Sequence, residues 1–204
     1  MIDNICMFLT KKIRKEMPEI DDEKAEIINY GLQNIIGEIP KGFIILGIAY
    51  LLGILKLTLL ALIIILPYKM FSGGFHLKTH IGCIVITSLF YCGIVLLSKY
   101  IELTITLKII VTIIAWLWGI WMISLYAPAD TENSPILRKK ERKFRKIMSC
   151  IAVSVTLIIA IFVRDNIISN IMLFGCIAQT FTITRFAYHL TKNRYGHEVY
   201  NAST

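Results

Sequence analysis

Charged residues are scarce in this 204-residue sequence: they make up 18% of the chain, whereas hydrophobic residues make up 56% and the mean hydropathy is +0.66. Soluble domains contain roughly 45–50% apolar residues. The shortage of charge leaves several stretches of about 18 or more nearly uncharged residues, and roughly 20 such residues cross the hydrocarbon core of a bilayer. The composition therefore excludes an ordinary soluble domain and predicts an all-α, polytopic integral membrane protein.

The sequence also lacks the cysteine pairs of a disulfide framework or a zinc site. None of the five cysteines forms a CxxC pair. Cys92, Cys150 and Cys176 lie inside apolar runs, where a thiol generally acts as a small hydrophobic group. The first residues have no small-residue cleavage site, and their charges follow rather than precede the apolar positions, so we do not expect a signal peptide.

Positive charge is in excess, with a formal net charge of +8 at pH 7. An excess of this kind can indicate nucleic-acid binding. In a membrane protein, however, Lys and Arg collect in the cytoplasmic loops. We therefore expect no nucleic-acid partner and assign to the cytoplasm the N-terminus, the tail after residue 184 and the most basic segment, residues 138–146.

Residues 1–40 form the only sizeable polar region and predict amphipathic helices on the cytoplasmic membrane face. Apolar residues recur there at helical spacing beside a basic cluster, which is typical of a helix that lies on anionic lipid. The first helix is expected to end at Pro18, and a second to begin near Asp21 or Asp22 and to end at Pro40. Residues 41–204 are predicted to form a single membrane-embedded helical domain.

The apolar runs and the charge pattern together predict six membrane spans. An even number of crossings must separate the N-terminus from the basic segment 138–146, since both are assigned to the cytoplasm. Counting residues 42–71 as one span gives an odd number, whereas a hairpin of two short helices that turns near Lys56 gives an even one. Each arm would have only about 13 residues, which membrane thinning or a re-entrant geometry would have to accommodate. The runs are residues 42–71, 81–98, 109–126, 147–163 and 167–184.

A histidine and a cysteine stand close together at a predicted membrane boundary, in the segment GGFHLKTHIGC of residues 73–83. A thiol becomes a useful nucleophile when a neighbouring base or cation favours the thiolate, and ionisable residues at membrane depth are functional by default. Gly73 and Gly74 permit backbone angles that other residues resist, so they predict a break before the next helix. The pattern favours Cys83 as a nucleophile at the cytoplasmic face.

Spacing does not decide which histidine would act as the base. On a continuous helix His76 and Cys83 share a face but lie about 10.5 Å apart along the axis, whereas His80 is only about 4.5 Å away in rise. Either His80 is the base, or His76 lies in a glycine loop that folds back over the helix start. The two histidines also have the i, i+4 spacing of a zinc motif, but the glutamate of HExxH and a nearby third ligand are missing, so we expect no metal.

A second polar cluster, YAPADTENSPI at residues 126–136, follows the run 109–126. Pro128 is expected to stop the helix, and Asp130 stands at the membrane edge. The predicted topology places this cluster on the same side as Cys83. Asp130 could therefore steady an imidazolium, as carboxylates do in catalytic triads, or could bind a basic group of a substrate.

These motifs, in this order, resemble the accessory gene regulator protein B (AgrB) family. The resemblance rests on GGFH followed seven residues later by Cys83, then APAD, Pro135, a basic loop and two closing helices, and it covers nearly the whole chain. It implies a membrane cysteine endopeptidase of Gram-positive bacteria that processes a quorum-sensing propeptide, with Cys83 as nucleophile and His76 as base. Lys69 stands where members of the family often have an arginine. Lysine keeps the positive charge but cannot donate the two parallel hydrogen bonds of a guanidinium.

The resemblance also implies an all-α homodimer in the lipid of the bacterial cell membrane, with a short amphipathic (AgrD-like) propeptide as substrate and no cofactor. Cleavage would remove the C-terminal tail and leave a thioester on Cys83, which the peptide closes to a thiolactone or lactone. The residues expected to support the site are Lys69, Gly73, Gly74, Pro128 and Asp130.

Two alternatives belong to other functional classes. A small polytopic transporter or channel would use Cys83 and the histidines for helix packing or as pore residues, but it should carry charges along a pathway through the membrane, where Lys56 is the main one. A membrane zinc protease would depend on a bound metal and lose activity with chelators. Thiol alkylation would instead block a cysteine peptidase.

Overall fold

The chain is all-α in a computed structural model, which describes residues 2–17, 20–75, 77, 79–132 and 135–203. This confirms the predicted fold class. Within those ranges the helices are α1 (Ile2–Glu16), α2 (Asp22–Leu51), α3 (Leu55–Ser72), α4 (His80–Tyr100), α5 (Ile105–Tyr126), α6 (Lys139–Phe162), α7 (Asn166–Thr182), α8 (Arg185–Leu190) and α9 (Gly196–Ser203).

The chain divides into two units, Met1–Gly47 and Ile48–Thr204. The first contains α1 and most of α2. Within it the Thr10 hydroxyl contacts both the Cys6 carbonyl oxygen (2.9 Å) and the Asn29 side-chain oxygen (3.3 Å), so this threonine connects the two helices. The basic residues of α1 are exposed, as expected of an amphipathic helix (Lys11, Lys12, Arg14 and Lys15).

Pro40 does not end the second helix, contrary to the sequence-based prediction. It lies inside α2, which continues to Leu51. A proline removes one backbone donor and crowds the preceding turn, but a long apolar helix tolerates the loss when nearby groups satisfy the freed carbonyl. The prediction was wrong because it gave the proline more weight than the apolar run after it. The domain boundary expected at residues 40 and 41 lies within this helix and stays a prediction.

The apolar run 42–71 is split into two helices, as the charge argument required. A turn at residues 52–54 separates α2 from α3, close to the predicted position at Lys56. Gly53 adopts φ +67°, a left-handed angle that favours glycine. The second arm is longer than expected, because α3 has 18 residues rather than about 13.

Among the described residues, four helices are long and apolar enough to cross a membrane, namely α3, α4 from Ile81, α5 and α6. Two shorter apolar stretches, Ile39–Leu51 and Asn166–Thr182, bring the apolar helical segments in the described ranges to the six that the sequence predicted. The chain is therefore a polytopic membrane protein.

Helix α7 lies at the centre of the second unit, where it packs against α3, α4, α5 and α6. Small and polar residues on this helix allow the close approach that helices in membranes require. Gly175 gives room to Ile65 of α3, because an added Cβ would lie 2.7 Å from the Ile65 Cδ1. Near the end of α7, Thr180 Oγ1 lies 2.8 Å from the hydroxyl of Tyr68. These contacts hold the end of α7 beside the end of α3, where the glycine pair begins.

Candidate functional site

The glycine pair and the APAD segment, which are far apart in sequence, lie side by side. Gly73 and Ala129 form an isolated parallel β-bridge. The Ala129 N–H donates to the Ser72 carbonyl oxygen (2.8 Å), and the Gly74 N–H donates to the Ala129 carbonyl oxygen (3.0 Å). The structure therefore brings together the two polar motifs that the sequence placed on one side of the membrane.

Close packing explains why glycines occupy both positions of the pair. Gly73 has φ +75°, and a Cβ on it would collide with the Ala129 carbonyl oxygen. Gly74 has φ +147°, and a Cβ there would lie 2.9 Å from Thr182 Oγ1 at the end of α7. Other residues rarely adopt such angles. The turn can therefore be this compact only with glycine at both positions.

Gln179, near the end of α7, is a third component of this turn. Its side chain is buried, and its Nε2 donates to Ser72 Oγ (3.0 Å) and to the Gly73 carbonyl oxygen (2.8 Å). The sequence analysis did not single it out. The available signal was a polar amide inside the apolar run 167–184, because a polar side chain at membrane depth calls for an explanation.

Asp130 is fully buried and accepts hydrogen bonds from four donors. Its Oδ2 accepts from the backbone N–H groups of Ile136 and His197 (both 3.0 Å) and from Arg142 Nη1 (3.2 Å). Its Oδ1 lies 2.7 Å from His197 Nδ1. Burying a carboxylate is costly unless it is paired and hydrogen-bonded, and here it is both. Asp130 thus fastens the loop that follows Pro128 to α6 and α9.

His197 is the imidazole that the structure places against Asp130, and the sequence analysis overlooked it. Its Nε2 lies 3.4 Å from Arg142 Nη2. A guanidinium can only donate, so a hydrogen bond between these two groups requires Nε2 to accept and the ring proton to be on Nδ1, facing Asp130. No local pattern in the polar tail indicated this pairing, which joins residues far apart in the chain.

Pro128 and Tyr188 complete the support of the APAD segment. The peptide bond before Pro128 is cis, and the Pro128 carbonyl oxygen lies 3.4 Å from Arg142 Nη2. The Tyr188 hydroxyl donates to the carbonyl oxygens of Ala129 (2.9 Å) and Asp130 (3.1 Å). Burial raises the pKa of Tyr188, so its hydroxyl stays protonated and remains a donor.

Cys83 lies in the first turn of α4. Thr79 caps this helix by accepting the Gly82 N–H at its side chain (3.2 Å), and the Cys83 N–H donates to the Thr79 carbonyl oxygen (3.0 Å). The thiol is half-buried, with Sγ 4.0 Å from Thr87 Oγ1. The N-terminal turn of a helix carries a partial positive charge that stabilises a nearby anion. This is a favourable position for a thiolate.

His76 lies outside the described residues, as does the side chain of His80, although the backbone of His80 begins α4. Thr79 is extended (φ −106°, ψ 135°), so α4 does not run back to residue 76. Leu77 instead folds over the helix start, because an added Cβ on Gly82 would lie 3.3 Å from Leu77 Cδ1. A continuous helix from residue 76 to Cys83 is therefore excluded, and the choice between the two histidines stays open.

Lys69 lies in the last turn of α3 and directs its charge towards α4. Its carbonyl oxygen accepts the Gly73 N–H (3.0 Å), and its Nζ is 5.7 Å from the ring centroid of Tyr91. A cation over an aromatic face is attracted electrostatically. Tyr91 is on the same face of α4 as Cys83, about 12 Å further along the axis. The lysine charge therefore lies beside α4, about two helical turns from Cys83.

Comparison with known proteins finds the same family that the sequence motifs resemble. The family model described as accessory gene regulator B matches residues 6–183. A Clostridium perfringens (strain 13, type A) protein whose name describes it as AgrB-like is 28% identical over 151 residues, 72% of this chain and 69% of that protein. A Listeria monocytogenes (serovar 1/2a) protein with the same description is 26% identical over 176 residues, 86% of this chain and 84% of that protein. No solved structure gives a significant match.

Proposed function

The chain belongs to the accessory gene regulator B family, whose general role is the processing of quorum-sensing peptides, and we propose on this premise that it is a membrane cysteine endopeptidase. Cys83 is the proposed nucleophile and His76 its base. The observation that carries the proposal is the position of Cys83 in the first turn of α4, which begins only after an extended Thr79. A helix start stabilises a nearby thiolate, and His76 is proposed as the base on the strength of the family resemblance.

The proposed reaction begins with transfer of the Cys83 proton to His76. The thiolate attacks a peptide carbonyl carbon of the propeptide and a C–S bond forms. The C–N bond then breaks, and the amine of the C-terminal tail leaves with a proton returned by His76. The N-terminal part of the peptide remains as a thioester on Cys83.

The second step closes the ring. An internal thiol of the same peptide gives its proton to His76 and attacks the thioester carbon, a new C–S bond forms, and the bond to Cys83 breaks, so that Cys83 leaves as thiolate and recovers the proton from His76. One thioester replaces another, so the acyl group keeps its activation in a thiolactone; a hydroxyl nucleophile gives a lactone. Water would hydrolyse the thioester, and a site bounded by membrane helices helps to exclude it.

Several features support this assignment beyond the family. The thiol lies in a helix N-terminal turn, which stabilises negative charge. Lys69 adds a positive charge beside α4. The proposed site faces the cytoplasm, where an AgrD-like propeptide would lie on the lipid surface, and the protein works as a homodimer; both parts of the proposal rest on the charge pattern and the family resemblance.

The test is co-expression of the protein with a candidate propeptide, followed by mass spectrometry of the peptide. We expect Cys83→Ser to abolish processing and His76→Ala to lower it about 10²- to 10⁴-fold, the usual contribution of a general base. His80→Ala should remain active. Cys150→Ser is the matched control, because Cys150 is also half-buried but lies on α6.

Each alternative predicts a different result. If His80→Ala is inactive and His76→Ala is active, the assigned base is wrong. If Cys83→Ser processes the propeptide normally, the peptidase proposal fails and a transporter or channel is favoured. Loss of activity with a chelator, without sensitivity to thiol alkylation, would indicate a zinc protease.

A further inference from the structure

We propose that Gln179 is a positioning residue of the peptidase, which fixes the Gly73–Gly74 turn and thereby the base that follows it. The inference rests on the proposed function. It concerns a residue of α7 that is distant in sequence from both Cys83 and His76.

The clamp acts on both ends of the peptide group between Gly73 and Gly74. On one side its carbonyl oxygen accepts from Gln179 Nε2 (2.8 Å). On the other side its N–H donates to the Ala129 carbonyl oxygen (3.0 Å). The same Nε2 also donates to Ser72 Oγ (3.0 Å). With both ends held, this peptide plane cannot rotate unless hydrogen bonds break.

The orientation of the Gln179 amide follows from its partners. A carbonyl oxygen such as that of Gly73 only accepts, so the NH₂ group must face it. The opposite atom, Oε1, is buried and has no hydrogen-bond partner among the residues that the structure describes. A buried unpaired oxygen costs free energy, so packing alone does not favour glutamine here. The hydrogen bonds that Nε2 donates to Ser72 Oγ and the Gly73 carbonyl oxygen explain the amide better.

A glycine pair needs such a clamp because it is the most flexible dipeptide that a chain can contain. Steric fit demands glycine at both positions, yet glycine leaves the backbone free to turn. His76, the proposed base, follows Gly74 by only two residues in the sequence. Any rotation of the clamped peptide therefore moves the base, and misplacement of a catalytic group by 1 Å can cost about 100-fold in rate.

The chain offers a matched control on the same helix. Asn170 is also a buried amide of α7, and its Nδ2 donates to the carbonyl oxygens of Ile101 (2.7 Å) and Ser98 (3.5 Å). Its Oδ1 likewise has no partner in the described part of the chain. It lies about 13.5 Å from Gln179 along the helix axis. Replacing Asn170 therefore removes a similar amide without touching the glycine turn.

The experiment compares Gln179→Met with Asn170→Leu in the full-length protein, in detergent. Cleavage of a synthetic propeptide gives kcat and KM. The rate of Cys83 alkylation by iodoacetamide is followed against pH by mass spectrometry of the Cys83 peptide. We expect Gln179→Met to lower kcat about 10- to 100-fold with little change in KM, and to move the pH profile of alkylation in the same direction as His76→Ala does. Asn170→Leu should lower the thermal unfolding temperature but leave kcat and the profile unchanged.

The outcomes separate this inference from the proposed function. If Cys83→Ser and His76→Ala are inactive while Gln179→Met keeps wild-type kcat and alkylation profile, the inference alone is overturned. The inference is also overturned if the activities of Gln179→Met and Asn170→Leu fall only as much as the amount of folded protein falls. If Cys83→Ser still processes the peptide, both proposals fall. Should Gln179→Met not accumulate, Ser72→Ala weakens the same clamp, because Ser72 Oγ accepts from the amide (3.0 Å) and also donates to the Gly73 carbonyl oxygen (3.4 Å). A smaller drop in kcat then supports the inference, and wild-type kcat overturns it.

Discussion

At the scale of single residues, the approach of Gly73 to Ala129 is a strict steric constraint in the site. The backbone of Gly73 lies against the Ala129 carbonyl oxygen at a left-handed φ of +75°. Any L-residue at position 73 would be strained at this φ. Its Cβ would also collide with the Ala129 carbonyl oxygen, which cannot shift without moving the backbone of Ala129. Substitution must therefore separate the two motifs.

We expect Gly73→Ala to reduce propeptide processing by about 100-fold or more, because the base follows this turn and loses its position. The measurement is peptide cleavage in detergent, together with the thermal unfolding temperature. Gly93→Ala is the control, since a Cβ at Gly93 of α4 would have no atom within 4 Å. Wild-type cleavage by Gly73→Ala would show that the Gly73–Ala129 contact does not matter for the reaction.

The residue scale also shows what the sequence could and could not predict. The pair Gly73–Gly74 and the cysteine in a helix start were predictable, because glycine geometry and the end of an apolar run are local signals. The bonds from Gln179, Tyr188 and His197 were not, because each joins positions separated by dozens of residues with no repeating pattern between them. Only the polarity of Gln179 within an apolar run gave a signal.

At the scale of secondary-structure elements, Asp130 connects three parts of the second unit. It holds the loop after α5 to the first turns of α6 through Arg142, and to α9 through His197. The sequence predicted a role for this carboxylate beside an imidazole. The imidazole against it in the structure is that of His197, and any relation to His76 stays a prediction.

Asp130→Asn should therefore destabilise the protein by about 3 kcal/mol, the order expected when a buried ion pair loses one partner. Chemical unfolding in detergent micelles measures the change. Glu132→Gln provides the contrast, since its carboxylate is exposed and lies 3.9 Å from Arg194; exposed pairs contribute at most about 1 kcal/mol. Equal effects of the two substitutions would contradict the anchoring role of Asp130.

The helix bounds show why some elements were predictable. The bounds of the apolar runs agree with those of α4, α5 and α7 to within a few residues. Helix α6 begins earlier than its apolar run, because its first two turns are the basic segment 138–146. Charge patterning marks the membrane boundary rather than the helix start. The prediction at Pro40 was wrong for a related reason: the helix continues through this proline into the apolar sequence after it.

At the scale of the whole molecule, the orientation in the membrane decides which compartment the site faces. Charge distribution favours the cytoplasm for residues 138–146. The same charge pattern predicts that the turn at residues 52–54 and the turn containing Arg164 face outward. Helix lengths alone do not fix this orientation.

Single cysteines introduced into a background without the native ones test the orientation with a membrane-impermeant maleimide. We expect Leu52→Cys and Arg164→Cys to react in intact cells, because both lie in exposed turns between helices. Lys143→Cys, on the exposed side of the basic segment, should react only after permeabilisation. Reaction of Leu52→Cys only after permeabilisation would mean that residues 42–71 do not cross twice.

The central place of α7 has a consequence for the timing of biosynthesis. Chains emerge from the ribosome N-terminus first, so α3, the glycine pair and Cys83 enter the membrane well before α7 is made. Until Gln179 and then Tyr188 arrive, the Gly73–Gly74 peptide and the Ala129 carbonyl lack partners that hold them in the finished protein. On the proposed function, the Cys83 nucleophile is thus made early, whereas the residues that hold its surroundings are made late. We expect a nascent chain to be unable to process a propeptide until the final helices have docked.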